Sequence, residues 1–173
     1  MWKKFIPFAL ADNIYEIEPW FYKKYGATTL ICDLDNTLDA YYTIKPSKEA
    51  QELIKKLNDN GLRVIIISNN ISNRVKDYAK ELGCEFVSSA RKPFRYKSRK
   101  FIKKNHIDLN KTIYVGDQVF TDVLFANRIK IKCVLCNNLV EKDQFFTKIN
   151  KFFDKYLRKI IIKKKLAKNW RDM

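Results

Sequence analysis

At 173 residues the chain is long enough to bury a real core and short enough to be read as one domain. Four glycines, four prolines and no repetitive tract leave no room for a flexible linker between modules. Thirty-five Lys and Arg against 19 Asp and Glu give a formal charge of +16 and point to an anionic partner, although an adenine-thymine-rich genome would also enrich Lys along with Ile, Asn, Phe and Tyr. Half of that charge falls in residues 148–173, where ten Lys or Arg face only Asp154 and Asp172.

The N-terminal start, Lys3-Lys4 followed by Phe5 to Leu10, imitates a secretory signal in miniature. It is too short and is interrupted by Pro7, and no later run approaches the roughly 18 apolar residues of a spanning helix. Cys32, Cys84, Cys133 and Cys136 read as unpaired thiols; Cys133 and Cys136 have zinc-like spacing but no second pair to complete a site. The expected location is the cytoplasm.

In chain order, Thr28–Cys32 is an apolar, β-prone run and predicts a first buried strand. Ser47 caps a helix with Ala50, Leu53, Ile54 and Leu57 on one face, stopped by Asn60-Gly61. Leu62–Ile67 predicts a second strand, Ser72 caps a helix closed by Gly83, and Glu85–Ser88 predicts a third strand. Lys92-Pro93 opens the next helix, Thr112–Val115 is a fourth strand, Val119–Asn127 a helix and Ile131–Cys136 a fifth strand. Five β/α repeats call for an α/β fold with a mostly parallel sheet covered on both faces.

Three polar segments follow apolar strands directly: Asp33-Leu34-Asp35-Asn36-Thr37, Ser68-Asn69-Asn70, and Gly116-Asp117 with Asp122 beyond it. All would emerge at the carboxyl ends of the strands, where open α/β sheets hold their sites. Asp33 is then placed to attack phosphorus and form an aspartyl-phosphate. Asp35 can protonate the leaving oxygen and later take a proton from water. Mg²⁺ suits an all-oxygen site made by Asp33, the backbone carbonyl of Asp35, and Asp117. Ser68 can donate to a phosphoryl oxygen, Lys92 can neutralise developing charge, and Asp122 can orient that lysine. A calcium loop is the competing reading of Asp33-x-Asp35-x-Thr37. It fails because its sixth and twelfth positions, which want Gly and Glu, are Leu38 and Ile44.

The four segments, Lys92-Pro93 included, resemble the motifs of the haloacid dehalogenase (HAD) superfamily, class IIIA. The strings Ala90-Arg91-Lys92-Pro93 and Val115 through Asn127-Arg128 are similar to the bacterial YqeG family, which is related to the mitochondrial phosphatidylglycerophosphate phosphatases. The resemblance implies a Rossmann-like HAD fold of five parallel strands in the order 5-4-1-2-3, helices on both faces, and the same roles for the residues above, with Asn36, Thr37, Asn69 and Gly116 in support. Asp at position 35, where the related ion-pumping ATPases carry Thr, favours phosphomonoester hydrolysis.

The expected organisation is one phosphatase domain over 1–173, with an aromatic-rich lead over 1–27, a catalytic core over 28–137 and a basic amphipathic helix over 138–173. The eleven positions between Asp35 and Ser47 and the short Ser68–Lys92 interval leave no space for a cap domain. An uncapped site suits a large substrate or one presented by a surface. In the last segment Phe145, Phe146, Ile149, Phe152, Phe153, Tyr156, Leu157, Ile160 and Ile161 recur at helical spacing among Lys and Arg. Such a helix can pack on the sheet, lie on an anionic membrane surface, or do both. Together with this basic end, the resemblance to the YqeG family implies a lipid-headgroup phosphomonoester as substrate, phosphatidylglycerophosphate, met at the inner face of the cell membrane. The alternatives are a phosphoprotein or nucleic-acid end phosphatase, or a non-catalytic binder of membrane or RNA. The sequence is silent on oligomeric state.

Overall fold

The computed structural model describes residues 2–70, 73–140 and 148–173, with residues 148–152 described by their backbone. The central strands form where the apolar runs predict them, because a strand covered on both faces needs apolar side chains in every position. Strand β2 (Thr29–Cys32) is buried throughout and pairs in parallel with β3 (Arg63–Ile67) on one side and β5 (Thr112–Gly116) on the other. Beyond β3 lies β4 (Glu85–Val87), and beyond β5 lies β6 (Lys132–Leu135).

These five strands stand in the expected order, but the sheet does not stop there. Among the described residues it has seven strands. The N-terminal lead supplies β1 (Ala9–Leu10), parallel to β6, and the C-terminal end returns as β7 (Lys168–Asn169), parallel to β1. The five-stranded expectation fails here because two-residue strands are too short to carry any periodicity.

Side chains alternate between two cores. Leu30, Cys32, Val64, Ile66, Ile113 and Val115 face one core, which is closed by α1 (Pro19–Lys24), α2 (Lys48–Asp59) and α3 (Asn73–Glu81). Ile31, Ile65, Ile67 and Tyr114 face the other, closed by α4 (Tyr96–Lys104), α5 (Leu124–Ile129) and α6 (Lys148–Lys163). Ser47 caps α2 as predicted, accepting from Ala50 N at 3.1 Å, and Gly61 follows the helix at φ +81°. Ser72 lies outside the described residues, as do Phe145 and Phe146.

Three boundaries differ from expectation. Lys92-Pro93 is a cis peptide ahead of the helix, which starts only at Tyr96. The segment after β5 opens as a π-helix, Val119–Val123, before tightening into α5. The basic end is not one helix: α6 stops at Lys163, and Trp170 beyond it is buried against Phe21. Within α6, Leu157 and Ile161 pack into the second core while Phe153, Tyr156 and Ile162 stay exposed. The helix therefore packs on the sheet and keeps an apolar outer strip. All four cysteines are free thiols, three of them buried. Among the described residues no helix is long and apolar enough to cross a membrane.

Candidate active site

Asp33 leaves β2 with its N–H still bonded to the Val115 carbonyl at 3.0 Å, so the strand ladder aims its side chain off the sheet edge. The loop then curls tightly. Leu38 N and Asp39 N both donate to the Leu34 carbonyl, at 3.0 and 3.2 Å, and Asn36 takes φ +63°, a conformation Asn tolerates better than most residues. Leu34 and Leu38 are fully buried and pin the curl from below. Asp39 fastens it to the helices by accepting from Ser47 N at 2.9 Å and the Tyr78 hydroxyl at 2.6 Å.

Lys92 meets this loop from the opposite side. Its buried ammonium donates to Asp33 Oδ1 at 2.6 Å, Asp122 Oδ1 at 2.7 Å and the Tyr114 hydroxyl at 2.8 Å, which uses all three of its N–H bonds. Asn69 sets the lysine's backbone from both sides, accepting from Lys92 N at 2.6 Å and donating to Lys92 O at 3.0 Å. Gly116 is required by close packing: a Cβ there would lie 2.6 Å from Asp122 Cγ. Asp122 Oδ2 also accepts from Gln118 N at 3.0 Å, and the Thr37 hydroxyl donates to Asp117 Oδ1 at 3.2 Å.

Asp35 faces the β3 side of the site. Its carboxylate is ion-paired with Arg74 and lies 3.4 Å from the Ser68 hydroxyl and 3.5 Å from the Asn70 amide. Arg74 also donates to the Thr43 carbonyl, which ties the loop after Asp35 to α3. The structure therefore brings together Asp33, Lys92, Asp117 and Asp122, and sets Asp35 and Ser68 beside them as a second cluster.

Burial shapes the electrostatics. It pushes the Asp33 carboxyl up to about 6, against the pull of Lys92 and with some help from the Asp122 charge. Burial alone would lower the Lys92 ammonium, but Asp122 and Asp33 outweigh it and hold that group above its ordinary value. Tyr114 is held well above the usual phenol range, first by burial and then by the Asp122 and Asp33 charges.

Residues 23–136 match the family of haloacid dehalogenase-like hydrolases. The chain is 31% identical over 149 residues to a probable phosphatase, YqeG, of Bacillus subtilis (strain 168), an alignment spanning 86% of this chain and 87% of that one. The chain belongs to the haloacid dehalogenase-like hydrolase family. Its fold is similar to that of an uncharacterized protein from Listeria monocytogenes serotype 4b, with TM-score 0.52 and 18% identity, over 77% of this chain and 99% of that one. A hypothetical protein from Xanthomonas campestris is similar over 70% of each chain, with TM-score 0.51 and 14% identity. Within the haloacid dehalogenase-like family the chain is a phosphatase.

For a metal, the donor set fits. Carboxylate oxygens of the buried Asp33, Asp117 and Asp122 lie within 4.8 Å of one another, an all-oxygen cluster of the kind a hard divalent cation takes. Both Asp122 oxygens are already engaged, by Lys92, Tyr114 and a backbone N–H, which makes Asp122 the counter-ion of Lys92.

Several members of this family site escape a reading of motifs. Tyr114 could have been suspected as the one aromatic residue inside a strand of mostly aliphatic ones, since a buried Tyr oxygen needs a partner. Asp154 and Arg158 of α6 carry no such signal. Asp154 Oδ1 accepts from Val119 N at 2.6 Å and Phe120 N at 3.2 Å, while Arg158 donates to the carbonyls of Asp117 and Cys136. The last helix is thereby clipped onto the loop that carries Asp117. Only the three-dimensional packing of α6 reveals it.

Proposed function

We propose that the chain is a Mg²⁺-dependent phosphomonoester hydrolase that works through an aspartyl-phosphate on Asp33. The observation that carries this reading is the buried ammonium of Lys92 shared between Asp33 and Asp122, with Asp117 beside them. Asp33 Oδ attacks phosphorus and the ester oxygen departs. Asp35 protonates that oxygen, then takes a proton from the water that opens the acyl phosphate, which regenerates Asp33 and releases inorganic phosphate. Lys92 and the Ser68 hydroxyl balance charge on the transferring group. Asp33, the carbonyl of Asp35, and Asp117 would hold the cation, which supplies charge neutralisation and orientation of the phosphate. Asn36, Thr37, Asn69 and Gly116 keep these groups in register.

Only a loop lies between Asp39 and α2, and among the described residues only α3 and β4 lie between Ser68 and Lys92, so neither interval holds a cap domain. The lack of a cap in these intervals supports a substrate presented by a surface, and we take it to be a phospholipid carrying a terminal phosphate, phosphatidylglycerophosphate, at the cytoplasmic face of the membrane. The test is phosphate release with Mg²⁺ from that lipid in anionic vesicles, compared with phosphopeptides and 5′-phosphorylated oligonucleotides. Preference for the lipid supports the reading. Preference for either of the others would replace it.

A further inference from the structure

A groove of about 900 Å³ begins at Pro93, one residue beyond the lysine of the active site, and runs along α4. Its α4 wall carries Arg95, Arg99, Lys100 and Lys103; Lys4, Arg128 and Lys130 line the rest, and no acid does. Among the described residues none of these seven cations has a carboxylate partner. The walls are cross-linked through backbone: Arg95 donates to the Arg128 carbonyl at 2.9 Å and Arg128 to the Pro93 carbonyl at 3.0 Å. Arginine is the scarcer cation of this chain, eight residues among 35 basic ones, so the general enrichment in lysine does not explain three of them here. A preformed trough of uncompensated positive charge is a receptor for anionic oxygen groups.

Its surroundings select the kind of anion. Phe94 and Tyr96 at the upper end are 69% and 84% exposed, and across the site the loop bonded to Arg74 exposes Tyr42 and Ile44, the latter by 74%. Aromatic rings could stack on nucleic-acid bases, but an exposed isoleucine gains nothing from a base and much from the edge of a bilayer. Rings and aliphatic groups around a cationic patch are what a membrane interface rewards.

We infer that this groove and the apolar groups beside it dock the enzyme on an anionic bilayer, with lipid phosphates in the trough and the site mouth turned to the surface. This rests on the membrane-presented substrate proposed above and assigns the docking to the α4–α5 face rather than to the lysines after α6.

The test is cosedimentation with phosphatidylglycerol–phosphatidylcholine vesicles at low salt. Arg99→Gln/Lys100→Gln/Lys103→Gln, all exposed positions on α4, should bind about a hundredfold more weakly than wild type at unchanged melting temperature. Ile44→Asn/Tyr96→Ser should bind about tenfold more weakly. Lys163→Gln/Lys164→Gln/Lys165→Gln should lose less than the α4 triple. Equal binding by wild type and the α4 triple, a larger loss from the tail triple, or no binding by wild type would each overturn the docking surface. So would an α4 triple that keeps vesicles but loses a single-stranded oligonucleotide. Turnover of a soluble aryl phosphate by wild type is measured in parallel: its absence would sink the proposed chemistry without touching the vesicle result.

Discussion

Lys92 and the lysines of α4 are a few residues apart in sequence and opposite in every physical respect. Lys92 is buried and gives each of its N–H bonds to a named oxygen, whereas Lys100 and Lys103 are exposed and have no carboxylate partner among the described residues. A buried charge survives only when fully paired, so its partners specify where it sits, and a cation held that firmly can serve chemistry at a defined point. An exposed, unpaired one is free to meet a ligand of variable shape. Position is encoded in the first kind of cation and recognition in the second.

The two kinds of cation should differ most when each is removed. Lys92→Met should lower turnover by about 10³-fold or more and, by leaving Asp33 and Asp122 buried without their cation, destabilise the fold by about 3–5 kcal/mol in urea melts. Lys103→Gln should stay within about 0.5 kcal/mol of wild type in the same experiment. Equal effects would erase the distinction.

Asp33 tests the cost of the buried cluster from the acid side. Its folded-state carboxyl is raised to about 6 from an ordinary value near 3.8, so without metal its ionised form weakens the fold at neutral pH. Metal-free Asp33→Asn should therefore be more stable than wild type by up to about 3 kcal/mol at pH 7.5. The gain should shrink as pH falls from 6 through 4 and vanish only below about 3, where the wild-type carboxyl is neutral in both states. Urea titrations in a chelator across that range would show it. For the same reason kcat/KM should fall as pH drops through the Asp33 titration, with bound cation moving that limb to lower pH.

Gly116→Ala brings a methyl against Asp122 and should cost about 2 kcal/mol, with a loss of kcat as the Lys92 pairing shifts. Arg158→Gln should weaken Mg²⁺ affinity about tenfold, read from the metal-dependent rise in melting temperature, because the clip on the Asp117 carbonyl is lost. An unchanged metal response would leave Arg158 a packing residue only.

What the sequence reveals follows the same division. The buried strands, their order and the polar residues at their ends are legible because a strand covered on both faces must be apolar, and a charge just after it has little structural reason to be there. Asp33, Lys92, Asp117 and Asp122 converge as the motif spacing implies. The strands at Ala9–Leu10 and Lys168–Asn169 are illegible because each is only two residues long and is stabilised by its neighbours. The π-helical turn after Gln118 is set by Asp154, far away in the chain, and the role of Arg158 hides in a stripe of basic residues that reads as surface. Lys92-Pro93 looks like a helix start because proline is favoured there; the Asn69 clamp on the lysine backbone belongs to tertiary structure.

In the proposed reaction Asp33 carries the phosphoryl group between the two half-reactions. Acid-quenched enzyme, taken during turnover of an aryl phosphate with Mg²⁺ and digested for mass spectrometry, should yield the peptide containing Asp33 with a phosphate that alkali removes, and Asp33→Asn should yield none. A labelled peptide lacking Asp33, or an unlabelled wild type that still turns over while its phosphoenzyme step is rate-limiting, would contradict it.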